Sequence, residues 1–468
     1  MALLTTKTAT LFIVALTVIV IFILQQSDVL NMNPRMAHWL LLPEEKLRLK
    51  SHFSSEEQKK NHKQRMSQRL IRRHRFKKKL FFKIQKQMQM SQWSQFSPQE
   101  KASKWKRCEI LISGEEKMSS KTMLKTDSEI LDSYKPNDDC VHVLRTRFPH
   151  RAVTKAEQLL PIAFGFSVHK DARLFEQLLQ AIYMPHNVYC IHIDKKSPDV
   201  FRKAILAMIR CLPNVFVSKK SADVVWGHFS IVEAQLNCME ELLQSTIKWK
   251  YYINLVGQDF PLYENSQIVV ALQKLNNTNS IESFPMPGHN SDRTKKVHIL
   301  QDHTIYNTGA EKSPPPHNIP IQKGSTHIVA IREFIEFLLH SEVGKDFVNF
   351  LKDSYVPDET IYSSLQQHPL TPGGLLGEQH NHITRALHWY DQNPYCKGEW
   401  VRTLCWLSIE DLQWALGETM KEKLFVHKIP FDNNDDIIEC ILVARQGRTY
   451  NTTAWNPENL EKKLKIIE

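Results

Sequence analysis

Three charged residues in the second half of the chain could act on a substrate with an anionic leaving group. Glu359 follows Tyr355-Val356-Pro357-Asp358 and opens a helical run. It could serve as a general base, or Asp358 and Glu359 could simply cap the helix and interact with its dipole. Arg402 and Lys428 are isolated cations. They could neutralise a departing diphosphate in place of a metal ion, or they could be ordinary surface residues.

The common sequence signatures of nucleotide loops, serine hydrolases and zinc proteases do not occur. The sequence has no GxGxxG, GxxxxGK[ST], GxSxG or HExxH pattern. Its 21 histidines show no ligand spacing, and no two of its cysteines form a CxxC pair. A zinc site is therefore not expected from the sequence.

An alternation of apolar strands and amphipathic helices would position these residues. The predicted strands are 162–168, 188–193, 215–217 and 251–256, with helices at 173–182, 198–211 and 228–245. Such an alternation predicts a parallel α/β sheet. Ligands bind at the carboxyl ends of such strands, so we expect His169, Asp194 and Asp259 near one another and near a ligand. The second half is less regular, with predicted strands 281–284 and 327–330 and predicted helices 331–340 and 358–366.

The positive charge of the chain is concentrated outside the region of these elements. The net charge is +11, yet residues 44–107 contain 20 Lys and Arg against 5 Asp and Glu, a net charge of +15. Residues 108–468 therefore carry a net negative charge, which argues against a nucleic-acid-binding domain. The basic segment could contact acidic lipid, glycan or a retention partner, or it could be a solvated spacer.

An uncharged apolar run at 9–24 predicts a membrane anchor near the N-terminus. It is short for a span, but polar flanking residues can lie in the interface and early secretory membranes are thinner. A cleaved signal peptide is the alternative, although no small-residue cleavage site follows Leu24. The predicted organisation is a cytoplasmic tail (1–8), an anchor (9–24), a basic stem (25–107) and a lumenal domain (108–468).

Eight cysteines, all after residue 107, indicate an oxidising compartment. An even number of cysteines behind an anchor favours disulfides, although reduced, buried cysteines are the alternative, and spacing alone leaves 105 pairings open. The sequons at Asn276 and Asn451 agree with a lumenal domain.

Several segments between Cys108 and Cys440 resemble one enzyme family. They include PIAFGFSVHKD, NVFVSKKSADVVWGHFSIVEAQLNCMEELL, WKYYINLVGQDFPLYEN, YVPDETIYSSLQ, VRTLCWLSIEDLQWAL and KLFVHK. Together they resemble the β-1,6-N-acetylglucosaminyltransferases that make core 2 and I-type branches on glycans. The GQDFP segment also resembles the related peptide O-xylosyltransferases.

The resemblance implies an α/β glycosyltransferase A-type fold with a Rossmann-like nucleotide-binding half, behind a transmembrane helix and stem. It implies an inverting, metal-independent transfer of GlcNAc from UDP-GlcNAc to a glycan hydroxyl, which forms a β-1,6 branch. Glu359 matches the base, and Arg402 and Lys428 match the diphosphate contacts. Further implied contacts are Val168, His169 and Asp194 with the nucleotide, and Glu282, Arg293, Trp389 and Tyr390 with the acceptor.

The resemblance also implies four disulfides and a location. The implied pairs are Cys108–Cys440, Cys140–Cys211, Cys190–Cys238 and Cys396–Cys405. A type II Golgi membrane protein is expected, and a homodimer is compatible with the resemblance. A lysine of the core 2 enzymes is replaced by Asn290, and the segment before Cys396 is shorter, so the acceptor stays open. The alternatives are a UDP-xylose-dependent peptide O-xylosyltransferase and a catalytically silent glycan-binding member.

Overall fold

A computed structural model describes residues 97–115, 124–149, 152–377, 382–432 and 434–450. The predicted tail, the apolar run 9–24, most of the predicted stem and Asn451 lie outside these ranges. None of the helices within the described ranges is long and apolar enough to span a bilayer.

The strands of the described residues form one main sheet and several small ones. Their bounds are β1 (Ile162–Val168), β2 (Val188–Ile193), β3 (Val215–Val217), β4 (Tyr251–Val256), β5 (Asp259–Pro261), β6 (Phe284–Pro285), β7 (Lys296–Gln301), β8 (Thr304–Glu311), β9 (Gln322–Lys323), β10 (Val329–Ile331), β11 (Arg385–Leu387), β12 (Glu399–Val401), β13 (Leu404–Trp406) and β14 (Phe425–His427).

The helices of the described residues pack on both sides of these strands and at the ends of the domain. Their bounds are α1 (Pro98–Ser113), α2 (Asp127–Asp132), α3 (Cys140–Thr146), α4 (Lys155–Leu159), α5 (Ala172–Ile182), α6 (Asp199–Ile209), α7 (Ser230–Leu243), α8 (Asn265–Lys274), α9 (Asp292–Lys295), α10 (Arg332–His340), α11 (Glu342–Leu351), α12 (Ile361–Leu365), α13 (Leu412–Ala415) and α14 (Asp435–Tyr450).

The main sheet has the strand order β3-β2-β1-β4-β10. Strands β1 to β4 are parallel, and β10 pairs with β4 in the antiparallel direction. The apolar runs of β1, β2 and β4 are buried on both faces, as the strands of a parallel sheet usually are. The predicted bounds of β1 to β4 are confirmed. Strands β2 and β3 follow on one side of β1, whereas β4 lies on its other side. At such a switch in strand order, a crevice is expected between the carboxyl ends of β1 and β4.

A second sheet, in the order β11-β14-β5, continues from the end of β4. Strand β14 is antiparallel to β5, and this register sets His427 opposite Asp259. Strand β11 is parallel to β14 and contributes Arg385 beside them. The second sheet thus carries residues from three distant parts of the sequence to the carboxyl edge of β4.

Helix α1 extends the folded domain into the predicted stem. The predicted boundary between residues 107 and 108 falls inside this helix. Lys104 forms an ion pair with Glu439 of α14, and Arg107 pairs with Asp436 and Glu439 at 2.6 and 2.7 Å. The folded domain therefore includes residues 98–107, which the charge distribution assigns to the stem.

Four disulfides use all eight cysteines. They join Cys108 to Cys440, Cys140 to Cys211, Cys190 to Cys238 and Cys396 to Cys405. These are the pairs that the family resemblance implies. The first closes a separation of 332 residues and fastens α1 to α14. The last closes the β12–β13 hairpin, which carries Arg402.

The second half of the domain differs from its sequence prediction in three places. The predicted helix 358–366 is a 3₁₀ turn at Pro357–Glu359 followed by α12. Thr360, rather than Asp358, is the N-cap of α12, so Asp358 does not cap this helix. The predicted strand 281–284 overlaps β6 only at Phe284. The long hairpin formed by β7 and β8 has no counterpart in the sequence prediction.

Candidate active site

The carboxyl ends of β1 and β2 bring Val168, His169 and Asp194 together. Val168 is buried, and its carbonyl accepts a hydrogen bond of 2.9 Å from the Asp194 amide. The Asp194 carboxylate accepts a hydrogen bond of 2.9 Å from the Lys196 amide, and the Lys196 ammonium lies 3.3 Å away. The loops after the two strands are therefore fixed to each other, as a preformed ligand site requires.

His169 lies among several cations at this edge. Burial lowers the pKa of its imidazole, and the neighbouring Lys170 lowers it further, while Asp194 opposes the shift. Near neutral pH the ring is therefore uncharged. Its edge packs against the Phe431 ring, with 5.6 Å between the ring centroids.

Arg402 and Lys428 lie on the same side of the site, each over an indole ring. Arg402 occupies the exposed turn between β12 and β13, and its guanidinium carbon is 4.5 Å from the Trp226 ring centroid. The Lys428 ammonium is 4.9 Å from the Trp406 ring centroid. Burial lowers the pKa of Lys428, and the nearby positive charge of Arg402 lowers it further, while Asp259 opposes this. An anion that binds between the two cations would relieve their mutual repulsion.

Asp259 does not face the ligand side, contrary to the expectation from its position after a strand. Its side chain has no solvent exposure. One carboxylate oxygen is 2.9 Å from Arg385 Nη2, and the other is 2.9 Å from His427 Nδ1. Burial alone would raise the pKa of this carboxyl, but the Arg385 charge and the His427 hydrogen bond hold it well below its usual range. Asp259 is thus an ionised structural residue behind the site.

Glu359 ends the 3₁₀ turn before α12, and two cations hold its side chain. Its Oε2 accepts a hydrogen bond of 2.8 Å from Arg293 Nη1 and lies 3.4 Å from Lys323 Nζ. About a quarter of the side chain is exposed. Its own carbonyl accepts a hydrogen bond of 2.8 Å from the Gly324 amide. The carboxylate is therefore oriented and still accessible, as a general base needs to be.

Glu282 lies beside Glu359 because two chain segments approach very closely at Gly324. A Cβ atom on Gly324 would lie 1.9 Å from the Glu282 carbonyl oxygen, so only glycine fits. Burial raises the pKa of Glu282; Lys423 and Lys323 oppose the shift, and Glu359 adds to it. The structure therefore brings Glu282, Arg293 and Glu359 together, as their predicted roles require.

Trp389 and Tyr390 contact the hairpin that carries Arg402. Trp389 forms a β-bridge with Leu404, and the Tyr390 amide donates a hydrogen bond of 3.0 Å to the Thr403 carbonyl. The Tyr390 ring meets the Trp400 ring edge to face at 5.3 Å. The two predicted acceptor aromatics are thus attached to the Arg402 side of the site.

A cavity of about 690 Å³ extends from Arg402 to Tyr355. The Tyr355 amide donates a hydrogen bond of 2.8 Å to the Arg293 carbonyl. The wall of the cavity formed by Tyr355 therefore continues to Arg293, which binds Glu359. Gly227 has a φ of +79°, and a Cβ atom there would lie 2.8 Å from the Tyr355 ring. Trp226, Lys196 and the β7–β8 hairpin also line the cavity.

Sequence reasoning missed Trp226, Tyr355 and the hairpin as parts of this site. The only available signals were the aromatic–glycine pair Trp226-Gly227 after β3, and the position of Tyr355 shortly before Pro357. Aromatic walls with a few fixed cations suit a ligand that combines sugar rings and phosphates.

Two groups of described residues have ligand atoms close enough to hold a metal ion. They are Asp259, His327 and His427, and His388, Cys405 and Asp411. In the first group, Arg385 and His427 already bind the carboxylate, and in the second Cys405 forms a disulfide. Neither donor set is suited to a catalytic metal, and activity without a metal stays a prediction.

Residues 162–416 match the family model of the Core-2/I-Branching enzymes. The matched region covers more than half of the chain and contains β1, the Glu359 turn and Arg402. The chain belongs to the Core-2/I-Branching enzyme family. The family assignment thus agrees with the resemblance read from the sequence segments.

Curated members of the Core-2/I-Branching enzyme family align with most of this chain. A β-1,3-galactosyl-O-glycosyl-glycoprotein β-1,6-N-acetylglucosaminyltransferase 3 of Rattus norvegicus is 35% identical over 362 residues, which cover 71% of this chain and 81% of the relative. An N-acetyllactosaminide β-1,6-N-acetylglucosaminyl-transferase of Homo sapiens is 32% identical over 351 residues, which cover 74% of this chain and 85% of the relative.

One solved structure aligns weakly with this family member. A 4-diphosphocytidyl-2C-methyl-D-erythritol synthase from Anaerococcus prevotii aligns with a TM-score of 0.23 and 12% identity, covering 43% of this chain and 87% of that chain. A TM-score this low carries no argument about the fold or the function.

Asp358 is a buried acid next to Glu359 in this Core-2/I-Branching enzyme. Burial raises its pKa to about 7, and the negative charge of Glu359 contributes. The folded protein therefore holds this proton more tightly than the unfolded chain does. As the pH rises from about 4 to about 7, the unfolded chain loses this proton while the folded protein keeps it, so the contribution of Asp358 to the free energy of unfolding falls.

We therefore expect Asp358→Asn to flatten the pH dependence of stability. Between pH 5 and pH 7.5 the free energy of unfolding of the wild type should fall by about 2 kcal/mol more than that of the variant. Urea unfolding at the two pH values measures this difference. Asp302→Asn, at the exposed tip of the β7–β8 hairpin, is the control and should behave like the wild type. Equal pH slopes in the wild type and Asp358→Asn would show that Asp358 ionises normally.

Proposed function

We propose that the protein is an inverting β-1,6-N-acetylglucosaminyltransferase with a glycosyltransferase A-type fold. It transfers GlcNAc from UDP-GlcNAc to a hydroxyl of an acceptor glycan and forms a β-1,6 branch. The observation that carries the proposal is a cavity lined by Arg402 and Tyr355, whose Tyr355 wall continues through a backbone hydrogen bond to Arg293, the partner of Glu359. The names of the relatives, which are β-1,6-N-acetylglucosaminyltransferases, support the same reaction.

The reaction is a single displacement at the anomeric carbon of the donor. Glu359 removes the proton from the attacking hydroxyl as its oxygen bonds to the anomeric carbon. The bond between this carbon and the diphosphate oxygen breaks, and its electron pair leaves with UDP. Because the hydroxyl attacks the face opposite the leaving group, an α-linked donor gives a β-linked product.

The leaving group is stabilised by residues of the chain in this proposal. Arg402 and Lys428 face the diphosphate and neutralise the charge that develops on it, so no metal ion is required. Val168, His169 and Asp194 hold the uridine and ribose at the carboxyl ends of β1 and β2. The neutral imidazole of His169 adds no further positive charge to this group of cations.

The acceptor binds beside Glu359. Arg293 is within hydrogen-bonding distance of the base, so it can orient Glu359 and contact an acceptor hydroxyl at the same time. Glu282 is positioned to accept hydrogen bonds from the acceptor sugar, and Trp389 and Tyr390 offer aromatic surface near the Arg402 hairpin. Asn290, one turn before Arg293, replaces a lysine of the core 2 enzymes and therefore marks the position where acceptor preference can differ.

We also propose that the enzyme is a type II membrane protein with its catalytic domain in the Golgi lumen. Four disulfides fit an oxidising compartment, and Asn276 lies exposed after α8, where a glycan can be attached. The apolar run 9–24 supplies the anchor.

A donor-by-acceptor activity screen tests this function. The purified domain, beginning at Ser97, should transfer sugar from UDP-GlcNAc and not from UDP-xylose. The acceptors should include a β-1,3-galactosyl-O-glycoside, an N-acetyllactosaminide and a serine-containing proteoglycan peptide. Linkage analysis should find a new β-1,6 bond. Transfer of xylose to the peptide, or glycan binding without turnover of any UDP-sugar, would contradict the proposal.

Glu359→Gln tests the role of the base. The amide keeps the shape of the side chain but cannot take the proton, so kcat should fall by roughly a hundredfold or more. The affinity for UDP should stay close to that of the wild type, because the ion-pair partners of Glu359 are Arg293 and Lys323 rather than the proposed diphosphate cations. Glu333→Gln, an exposed position on α10, removes the same charge and serves as the control. Near-normal turnover by Glu359→Gln would remove this residue from the role.

A further inference from the structure

Asp259 is held in place by three hydrogen-bond donors from separate parts of the fold. Its Oδ2 accepts from Arg385 Nη2 at 2.9 Å and from the Val256 amide at 2.7 Å. Its Oδ1 accepts from His427 Nδ1 at 2.9 Å. The carboxylate therefore links the carboxyl end of β4 to β11 and β14.

The residues on both sides of Lys428 are bound to the Gln258–Asp259 segment. His427 is bound to Asp259 through its side chain. Ile429 exchanges two hydrogen bonds with Gln258: its amide donates to the Gln258 carbonyl at 2.9 Å, and its carbonyl accepts from Gln258 Nε2 at 2.8 Å. The backbone is thus fixed at the residue before Lys428 and at the residue after it, and the Lys428 ammonium lies 4.9 Å from the Trp406 ring centroid.

The charge of Asp259 is balanced without using Lys428. Arg385, with no exposed side-chain surface, is the ion-pair partner, and among the described residues no ion pair joins Asp259 to Lys428. Burial lowers the pKa of His427, so the imidazole is neutral and donates to Asp259 through Nδ1–H. Among the described residues the Lys428 ammonium forms no ion pair, so it can bind an anion.

We propose that Asp259 and His427 are positioning residues that direct Lys428 at the diphosphate of the donor. Neither touches the substrate. The carboxylate fixes the imidazole, the imidazole fixes the start of the Lys428 segment, and Gln258 fixes its end. This inference rests on the proposed function, because it requires a donor with a diphosphate.

Substitutions at His427 test the inference while leaving the Asp259–Arg385 pair in place. Removing Asp259 itself would leave Arg385 buried without a counter-charge, which is strongly destabilising. His427→Asn can still donate to Asp259, because an asparagine Nδ2 reaches about the position of a histidine Nδ1. His427→Leu has a similar size but no donor. The pair of variants separates the hydrogen bond from the packing.

Titration calorimetry measures the affinity for UDP of the wild type and of each His427 variant, both with Lys428 present and in the Lys428→Ala background. We expect Lys428→Ala and His427→Leu each to weaken UDP binding about tenfold, the scale of a lost charge-assisted contact. We expect His427→Asn to stay within about threefold of the wild type. In the Lys428→Ala background, His427→Leu should cause no further loss, because the two changes remove the same contact. Uridine, measured by competition, lacks the diphosphate and should bind all variants equally.

Two results would overturn the inference while leaving the proposed function intact. The first is that His427→Leu weakens UDP binding further in the Lys428→Ala background, or weakens uridine binding as strongly as UDP binding. Either finding would indicate that His427 has a structural role alone. The second is wild-type UDP affinity in His427→Leu. If Lys428→Ala leaves UDP binding unchanged, or if the wild type does not bind UDP, the proposed leaving-group site fails and the inference fails with it.

Discussion

At the junction of the two sheets, a carboxylate and a guanidinium meet 2.9 Å apart with no exposure to water. Asp259 comes directly after the last parallel strand of the main sheet, and Arg385 comes from β11 of the second sheet. A charge buried in this way is tolerated only when its partner and its hydrogen bonds are in place, so the pair fixes how the two sheets meet. The arrangement of the site follows from this junction. The pair lies at the carboxyl end of β4, and Lys428 follows His427, which is bound to the same carboxylate.

The site that results contains two groups of cations, Arg402 with Lys428 and Arg293 with Lys323. Arg402 lines the cavity, and Arg402 and Lys428 each lie over an aromatic ring without an ion-pair partner among the described residues. Glu359 is held by Arg293 and Lys323. Cations that are already in position when the leaving group becomes charged need no rearrangement during the reaction, which is the advantage of a preorganised site.

The central strands could be predicted because their signal is local. Strands β1, β2 and β4 are continuous apolar runs that are buried on both faces, and the predicted bounds of β1 to β4 agree with the structure. The burial of Asp259 could not be predicted in this way, because its partners lie 126 and 168 residues away in sequence. Position after a strand places an acid at the edge of the sheet, but it does not say whether the side chain turns toward the ligand or toward a second sheet.

The elements that the sequence did not reveal have weak local patterns. The β7–β8 hairpin is largely exposed on both faces, so it lacks the alternation that marks a half-buried strand. Helix α1 is highly charged, and its partners Asp436 and Glu439 lie more than 300 residues away, so it merges with the basic stem in the sequence. The family resemblance supplied what local patterns could not: the grouping of Glu282, Arg293 and Glu359 and the pairing of the cysteines.

The central claim is that fixed side chains stabilise the leaving group where many enzymes use a metal ion. The most direct test is the initial rate of sugar transfer from UDP-GlcNAc by the purified domain, measured in EDTA and again after addition of excess Mn²⁺. The account predicts the same rate in both conditions. Loss of activity in EDTA that Mn²⁺ restores would contradict it.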